Sequence, residues 1–256
     1  MKLTRKNFLK QGAVAAGALV LANAKEANAA PPDAAAPPAK APEKPPPPQA
    51  VHFSVLKPGD YDSKKVNEAM RTKKAHKFVY QSVEPKLIIP GLASIYIHVQ
   101  NSLNAAEYSY GWKGNVASAA VLYGPSVILA LNDAMWAKYP FGAAFNCKDA
   151  DGKPETKNVY YPAQTNMSMD GDPGAGGNIY QDWSGEACIK RGTFFMVCHN
   201  ALTAFSGMMA GSMGQDPTKA LAEWKANLLP GYNIVPAGVG AVHFAQENGW
   251  KLIPLI

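Results

Sequence analysis

Hydrophobic runs of strand length recur along the chain from residue 94 onward. Five of them are rich in β-branched and aromatic residues, which favours buried strands. These runs are Ser94–Val99, Val116–Tyr123, Thr193–Val197, Asn233–Val235 and Trp250–Ile253.

Helical patterns separate these runs. They cover Asn101 to Tyr110, with Asn101 as the cap, Gly124 to about Lys138, Asn200 to Ser212, Pro217 to Leu229, and Gly238 to Asn248. Alternating strands and helices predict an α/β fold with one five-stranded, mainly parallel sheet flanked by helices.

The alternation stops between residues 140 and 191, before the third strand. This long insertion holds a turn sequence at Asp149–Gly152 and a glycine-rich run at Asp170–Asn178. A connection of this length is unusual in a compact domain. It is interpreted as a lid over the sheet edge, an oligomer contact or a plain surface excursion.

The first 50 residues differ in composition from the rest. A charged start, Lys2–Lys10, precedes the apolar run Gly12–Ala24 and a cleavage site at Ala27–Ala29, which predicts an export signal peptide over 1–29. Residues 30–50 form a Pro/Ala-rich linker and 51–92 an N-terminal extension. Because the apolar run is shorter than the roughly 20 residues that span a bilayer, we expect a periplasmic protein with no membrane span after cleavage.

The formal charge of +6 is concentrated in this leader. Residues 1–29 carry five basic residues against Glu26, so +4 belongs to the leader and +2 to the remainder. A body with so little excess charge does not favour nucleic-acid binding.

In parallel sheets the usable crevice lies beyond the carboxyl ends of the strands. This rule places Asn101, Tyr123, Gly124, His199, Asn200 and Gly238 in a candidate binding crevice, with Cys198 as the candidate catalytic residue. A cysteine at the end of a strand and the start of a helix meets unpaired N–H groups, which favour the thiolate.

Three cysteines are an odd number for an oxidising compartment. A Cys147–Cys188 bridge would leave Cys198 free, whereas a Cys188–Cys198 bridge would join the insertion to the sheet. Cys198 is therefore either a reactive thiol, a disulfide partner or an inert buried side chain.

Metal and cofactor sites are not predicted. His52, His76, His98, His199 and His243 show no i,i+4 pairing, and His98 is interpreted as a core residue of its strand. Asp170-Gly-Asp172 begins like a calcium loop but lacks its closing glutamate, and the sequence holds neither a phosphate-binding loop nor a G-x-S-x-G motif.

Several segments resemble the DsrE/DsrF-like sulfur-relay family over residues 93–256. They are Phe194–Leu202, Leu229-Pro230-Gly231, Ile234–Val239 and Gln246–Trp250. The helix Asn132–Trp136 is similar to an exported subgroup, and Thr4–Lys10 resembles the twin-arginine export motif with Lys6 in place of its second arginine.

This resemblance implies a five-stranded α/β fold, homo-oligomers (trimers or hexamers) and a persulfide on Cys198. Two functions remain open. The first is an exported, oligomeric binding or assembly protein without a complete catalytic site. The alternative is a periplasmic sulfur carrier or sulfurtransferase that uses Cys198, with a small sulfur species or a protein as its partner.

Overall fold

The computed structural model describes residue 53 and residues 55–85 and 87–254. The predicted signal peptide and linker, and His52, lie outside these residues. The strands are β1 His76–Ser82, β2 Leu87–Ile89, β3 Leu92–Ala93, β4 Val116–Leu122, β5 Phe194–Cys198, β6 Tyr232–Val235 and β7 Lys251–Pro254.

The α-helices are α1 Ser63–Met70, α2 Ser94–Asn104, α3 Asp133–Lys138, α4 Phe141–Ala144, α5 Gly185–Lys190, α6 His199–Ser212, α7 Pro217–Ala226 and α8 Gly238–Glu247. A π-helix, Ala105–Ser109, continues α2, and 3₁₀ helices cover Gly124–Ala130 and Ile179–Gln181. Among the described residues, no helix has the length and apolar character needed to cross a membrane.

Five parallel strands form the central sheet in the order β6-β5-β4-β1-β7. Leu122 lies opposite Val197, and Cys198 lies opposite Val235. Strands β2 and β3 form a separate antiparallel hairpin. The predicted α/β class with a five-stranded parallel sheet flanked by helices is confirmed.

The predicted first strand is wrong, because Ser94–Val99 forms the first half of α2. Ile95, Val99 and Leu103 recur at a helical spacing and are buried, whereas His98 on the other side is exposed. His98 is therefore a surface residue of a helix and not a core residue of a strand.

The missing strand is β1, which lies between β4 and β7. It comes from the segment 51–92, interpreted above as an N-terminal extension. Its lysine-rich approach, Lys73–Lys77, hides the strand pattern, but Val79 and Tyr80 are completely buried.

Helices cover both faces of the sheet. On the first face, α2, α6, α7 and the 3₁₀ helix Gly124–Ala130 pack against Tyr80, Leu122 and Val197. On the second face, α1 and α8 pack against Val79, Val121 and Met196. Alternating side chains of each strand therefore enter two separate cores, as expected for a parallel sheet buried on both sides.

The insertion 140–191 is held tightly against the first face. Asn158 donates from its side-chain amide to the carbonyls of Leu129 (2.9 Å) and Leu131 (2.7 Å). The Gln100 side chain of α2 donates to the carbonyls of Ile179 and Asp182. These buried bonds make the insertion an added layer of the fold over α2 and the 3₁₀ helix.

Candidate functional site

The connections after β5 and β6 leave the sheet in opposite directions. Helix α6 packs its buried side chains, including Leu202, into the core of the first face, and α8 packs Ala241 and Val242 into that of the second. Where neighbouring strands diverge in this way, a crevice forms beyond their carboxyl ends. This rule makes the edge between Cys198, the last residue of β5, and Val235, the last residue of β6, the candidate position of the crevice.

Cys198 caps the 14-residue helix α6. Its sulfur accepts a hydrogen bond from the backbone N–H of Ala201 at 3.3 Å. The end of the helix that carries unpaired N–H groups therefore faces the sulfur. Cys198 is 5% exposed, so only a small part of it is open to solvent.

Tyr123 lies beside Cys198 at the end of the neighbouring strand. Its hydroxyl donates to Oε1 of Gln81 at 2.8 Å, which ties the end of β4 to the end of β1. Burial raises the pKa of Tyr123, and the nearby Cys198 raises it further. The phenol therefore stays protonated at neutral pH and keeps its single donor hydrogen on Gln81.

The loop after β4 is held by backbone contacts that need small residues. Gly124 has φ +62°, and a Cβ there would lie 2.7 Å from the carbonyl oxygen of Val83. The hydroxyl of Ser126, which is fully buried, lies 2.5 Å from the carbonyl oxygen of Ser82 and 3.0 Å from that of Tyr123, and its single proton is shared between these two acceptors. Sequence reasoning missed Gln81 and Ser126 because β1 was not recognised. Gln81 belongs to β1, and Ser126 binds the β1 residue Ser82.

His199 is 2% exposed at the start of α6. Burial lowers its pKa, Lys225 lowers it further, and Asp60 partly opposes both effects. Its imidazole is therefore neutral at pH 7, and it adds no positive charge beside Cys198.

The structure brings most of the predicted crevice residues together at one edge. Tyr123, Gly124, His199, Asn200 and Gly238 all follow the carboxyl ends of strands. Asn101 does not, because it is an exposed residue inside α2, which leads back toward the start of β4.

None of the three cysteines, all within the described residues, forms a disulfide. Burial raises the pKa of Cys147 to about 11 and that of Cys188 still further. Cys147 contacts the carbonyl of Phe145, and Cys188 contacts that of Tyr96. Both are therefore packed as neutral thiols, and neither predicted bridge is present.

Other sites carry little chemistry. Within the described part of the chain, no group of three or more His, Cys, Asp or Glu residues is placed to hold a metal ion. A cavity of about 410 Å³ lies between the β2–β3 hairpin and the insertion, lined by Pro90, Leu92, Tyr160, Trp183 and their neighbours. Its lining contains no carboxylate, amine or imidazole.

Gly238, the first residue of α8, allows Tyr123 to approach closely. A Cβ at Gly238 would lie 2.5 Å from Cβ of Tyr123. We expect Gly238→Ala to displace Tyr123, to lower stability by about 1–3 kcal/mol and to speed the alkylation of Cys198 by iodoacetamide.

Gly240→Ala is the matched control, because its added Cβ would meet only Cβ of Ala237, at 3.8 Å. In the same helix it is expected to be neutral or stabilising by up to about 1 kcal/mol. Equal alkylation rates in both variants would show that Tyr123 does not cover the thiol.

The fold and this edge define an α/β protein with a buried cysteine at the divergence of two parallel strands. Comparison of the chain with models of known protein families and with curated proteins gives no match in either case.

Proposed function

We propose that this protein is an exported member of the DsrE/DsrF-like sulfur-relay family and that Cys198 carries sulfane sulfur. One observation carries the proposal. The thiol of Cys198 is free, caps α6, accepts the Ala201 N–H and lies at the carboxyl end of β5, where the connections after β5 and β6 diverge.

The order of elements supports the family. Strand β5 ends at Cys198, β6 is followed directly by Pro236–Gly238 and α8, and Gly249-Trp250 leads into β7. These are segments on which the resemblance rests, and each lies at a strand or helix boundary of this chain.

The reaction is a transfer of sulfur between thiolates. The Cys198 thiol gives its proton to solvent, and the thiolate attacks the terminal sulfur of a polysulfide. The donor's S–S bond breaks, the shortened polysulfide leaves with the electron pair, and an S–S bond forms on Cys198. The Ala201 N–H lies where it can stabilise the charge of the persulfide.

A second function has its own support. Cys198 is 95% buried, and Ile88 and Ile89 of the hairpin are each 54% exposed. Exposed apolar side chains of this kind suit a subunit contact. They favour an oligomeric binding or assembly protein in which Cys198 serves packing alone.

Intact mass of the natively purified protein distinguishes the two functions. After incubation with polysulfide, the wild-type chain is expected to gain the mass of one sulfur atom at Cys198, and the gain should disappear on reduction. Cys198→Ser should abolish it, while Cys147→Ser should leave it unchanged because Cys147 is a buried neutral thiol.

The same spectra test the proposed location. A chain that begins after Ala29 would support export with cleavage of the signal peptide. If the wild-type protein takes up no sulfur, or the Cys198→Ser variant takes up as much, the sulfur-carrier function is excluded and the assembly function is favoured.

A further inference from the structure

A cluster of aromatic rings lies at the amino end of the sheet, opposite the Cys198 edge. The ring of Trp112 stacks on that of His76, with 3.7 Å between centroids and parallel planes. Tyr110 lies 5.0 Å from Trp112 and is 63% exposed, and Phe78 lies 6.5 Å from Trp112 on the inner side. The stack fixes the indole of Trp112 in place. Binding of a partner would therefore cost this side chain little conformational entropy.

Basic side chains surround this cluster. Lys74 donates to the carbonyl of Gly114, two residues beyond Trp112, and Lys77 donates to the carbonyl of Asn248 at 2.6 Å. Lys113 lies over the ring of Tyr108 at 5.1 Å, and Lys251 pairs with Phe78 at the start of β7. We define the basic aromatic patch as Arg71, Lys73, Lys74, His76, Lys77, Tyr110, Trp112, Lys113 and Lys251.

Most of the positive charge of this patch is not balanced locally. Of its six Lys and Arg residues, all except Lys77 are exposed. At the same end, Glu107 is bound to Arg191 at 2.9 Å, and Glu247 closes α8 as an exposed acid. Because the chain beyond residue 29 has a net charge of only +2, six cations at one end leave the rest of it net negative.

We propose that the basic aromatic patch docks this protein on an anionic phospholipid surface. Lysines attract the negative headgroups, while Trp and Tyr are the side chains that settle at a membrane–water interface. The patch comprises the starts of β1 and β7 and the segments that precede β1 and β4. Five of its six cations are exposed, and two of these flank the aromatic rings. An extended layer of negatively charged headgroups needs exposed cations of this kind to bind.

Docking would fix the orientation of the protein. All five strands are parallel, and the seven residues of β1 separate the patch from the carboxyl edge by roughly 20 Å. A molecule held by the patch therefore presents the crevice between β5 and β6 to solvent and away from the lipid.

Co-sedimentation with vesicles tests the proposal. The full chain is expected to bind phosphatidylglycerol-containing vesicles, to ignore pure phosphatidylcholine, and to lose affinity as salt is raised. Lys73→Glu/Lys113→Glu should weaken binding by roughly 25-fold or more, since each surface cation contributes about fivefold and the new carboxylates repel the headgroups. Tyr110→Ser, at an exposed position, should weaken it by a smaller factor.

Lys64→Glu/Lys65→Glu is the matched control, because both lysines are exposed in the first turn of α1, near the opposite end of the sheet. This control changes the net charge by the same amount as the patch variant, and both variants keep the N-terminal residues of the wild type. Its binding should equal that of the wild type. An equal loss in both double variants, or no difference of either from the wild type, would overturn the proposal. Patch-dependent binding to polyglutamate or duplex DNA without binding to vesicles would overturn it as well.

Discussion

Replacement of Arg191 by alanine is expected to lower the free energy of unfolding by about 3–5 kcal/mol, which is typical when one partner of a buried ion pair is removed. Arg191 donates to the side-chain oxygens of Gln100 and Asn104 at 2.6 Å and forms an ion pair with Glu107 at 2.9 Å. Its side chain is fully buried, and its guanidinium lies 4.9 Å from the Tyr180 ring centroid.

The effect should spread into the insertion. Gln100, which accepts a bond from Arg191, also donates to the carbonyls of Ile179 and Asp182. Without Arg191, the carboxylate of Glu107 loses its partner in a site where its side chain is only 16% exposed. The end of α2 and the insertion would therefore loosen together.

Urea unfolding followed by circular dichroism measures this loss. Lys190→Ala is the control, because the neighbouring lysine is exposed and its loss should change stability by less than about 0.5 kcal/mol. Arg191→Lys keeps the charge but not the planar fork, so it should recover only part of the stability. An Arg191→Ala protein as stable as the Lys190→Ala protein would contradict the assigned role.

Trp136→Ala is expected to lower the free energy of unfolding of the otherwise unchanged protein by about 3–5 kcal/mol. Trp136 is 1% exposed, packs against Phe141 and Tyr160, and donates from its indole nitrogen to the carbonyl of Ile128 at 3.0 Å. Its removal leaves a cavity and an unpaired buried carbonyl between the 3₁₀ helix and the insertion.

Thermal and urea unfolding of Trp136→Ala should be compared with those of Trp183→Ala. Trp183 is 36% exposed and lines the open cavity beside the hairpin. The loss for Trp183→Ala should therefore stay well below that for Trp136→Ala, and similar losses would show that the packing around Trp136 contributes little.

The sequence predicts the second half of the fold well, because its periodic signals there are local. Strands β4, β5 and β6 and helices α6, α7 and α8 all lie within a few residues of the predicted positions. Gly and Pro residues, such as Pro217 and Gly249, mark the ends of these elements correctly.

The first half is predicted poorly, and the reason is physical. Ser94–Val99 holds side chains of high β propensity, yet packing of Ile95, Val99 and Leu103 on one side stabilises a helix. Tertiary contacts override a weak local preference of this kind. Conversely, β1 begins within a lysine-rich stretch, and this composition hides the strand. The charged groups of these lysines lie at the amino end of the sheet.

The candidate site was predicted in part. Cys198, Tyr123 and Gly238 follow from the rule about strand ends, because they depend on strands that were placed correctly. The role of Gln81 and the exposed position of Asn101 depend on β1 and α2. Neither of these two elements was predicted correctly. The hydroxyl–amide bond between Tyr123 and Gln81 joins residues 42 positions apart and leaves no local signal.

The position of β1 has a consequence for folding. Its two neighbours are β4 and β7, and Gln81 of β1 pairs with Pro254, a residue far away along the chain. Contacts between such distant residues form slowly, because a long loop must close first. Until β7 docks, one edge of β1 has no partner, and an open strand edge attracts other chains. The rate at which β7 docks therefore decides how long the folding molecule is exposed to association.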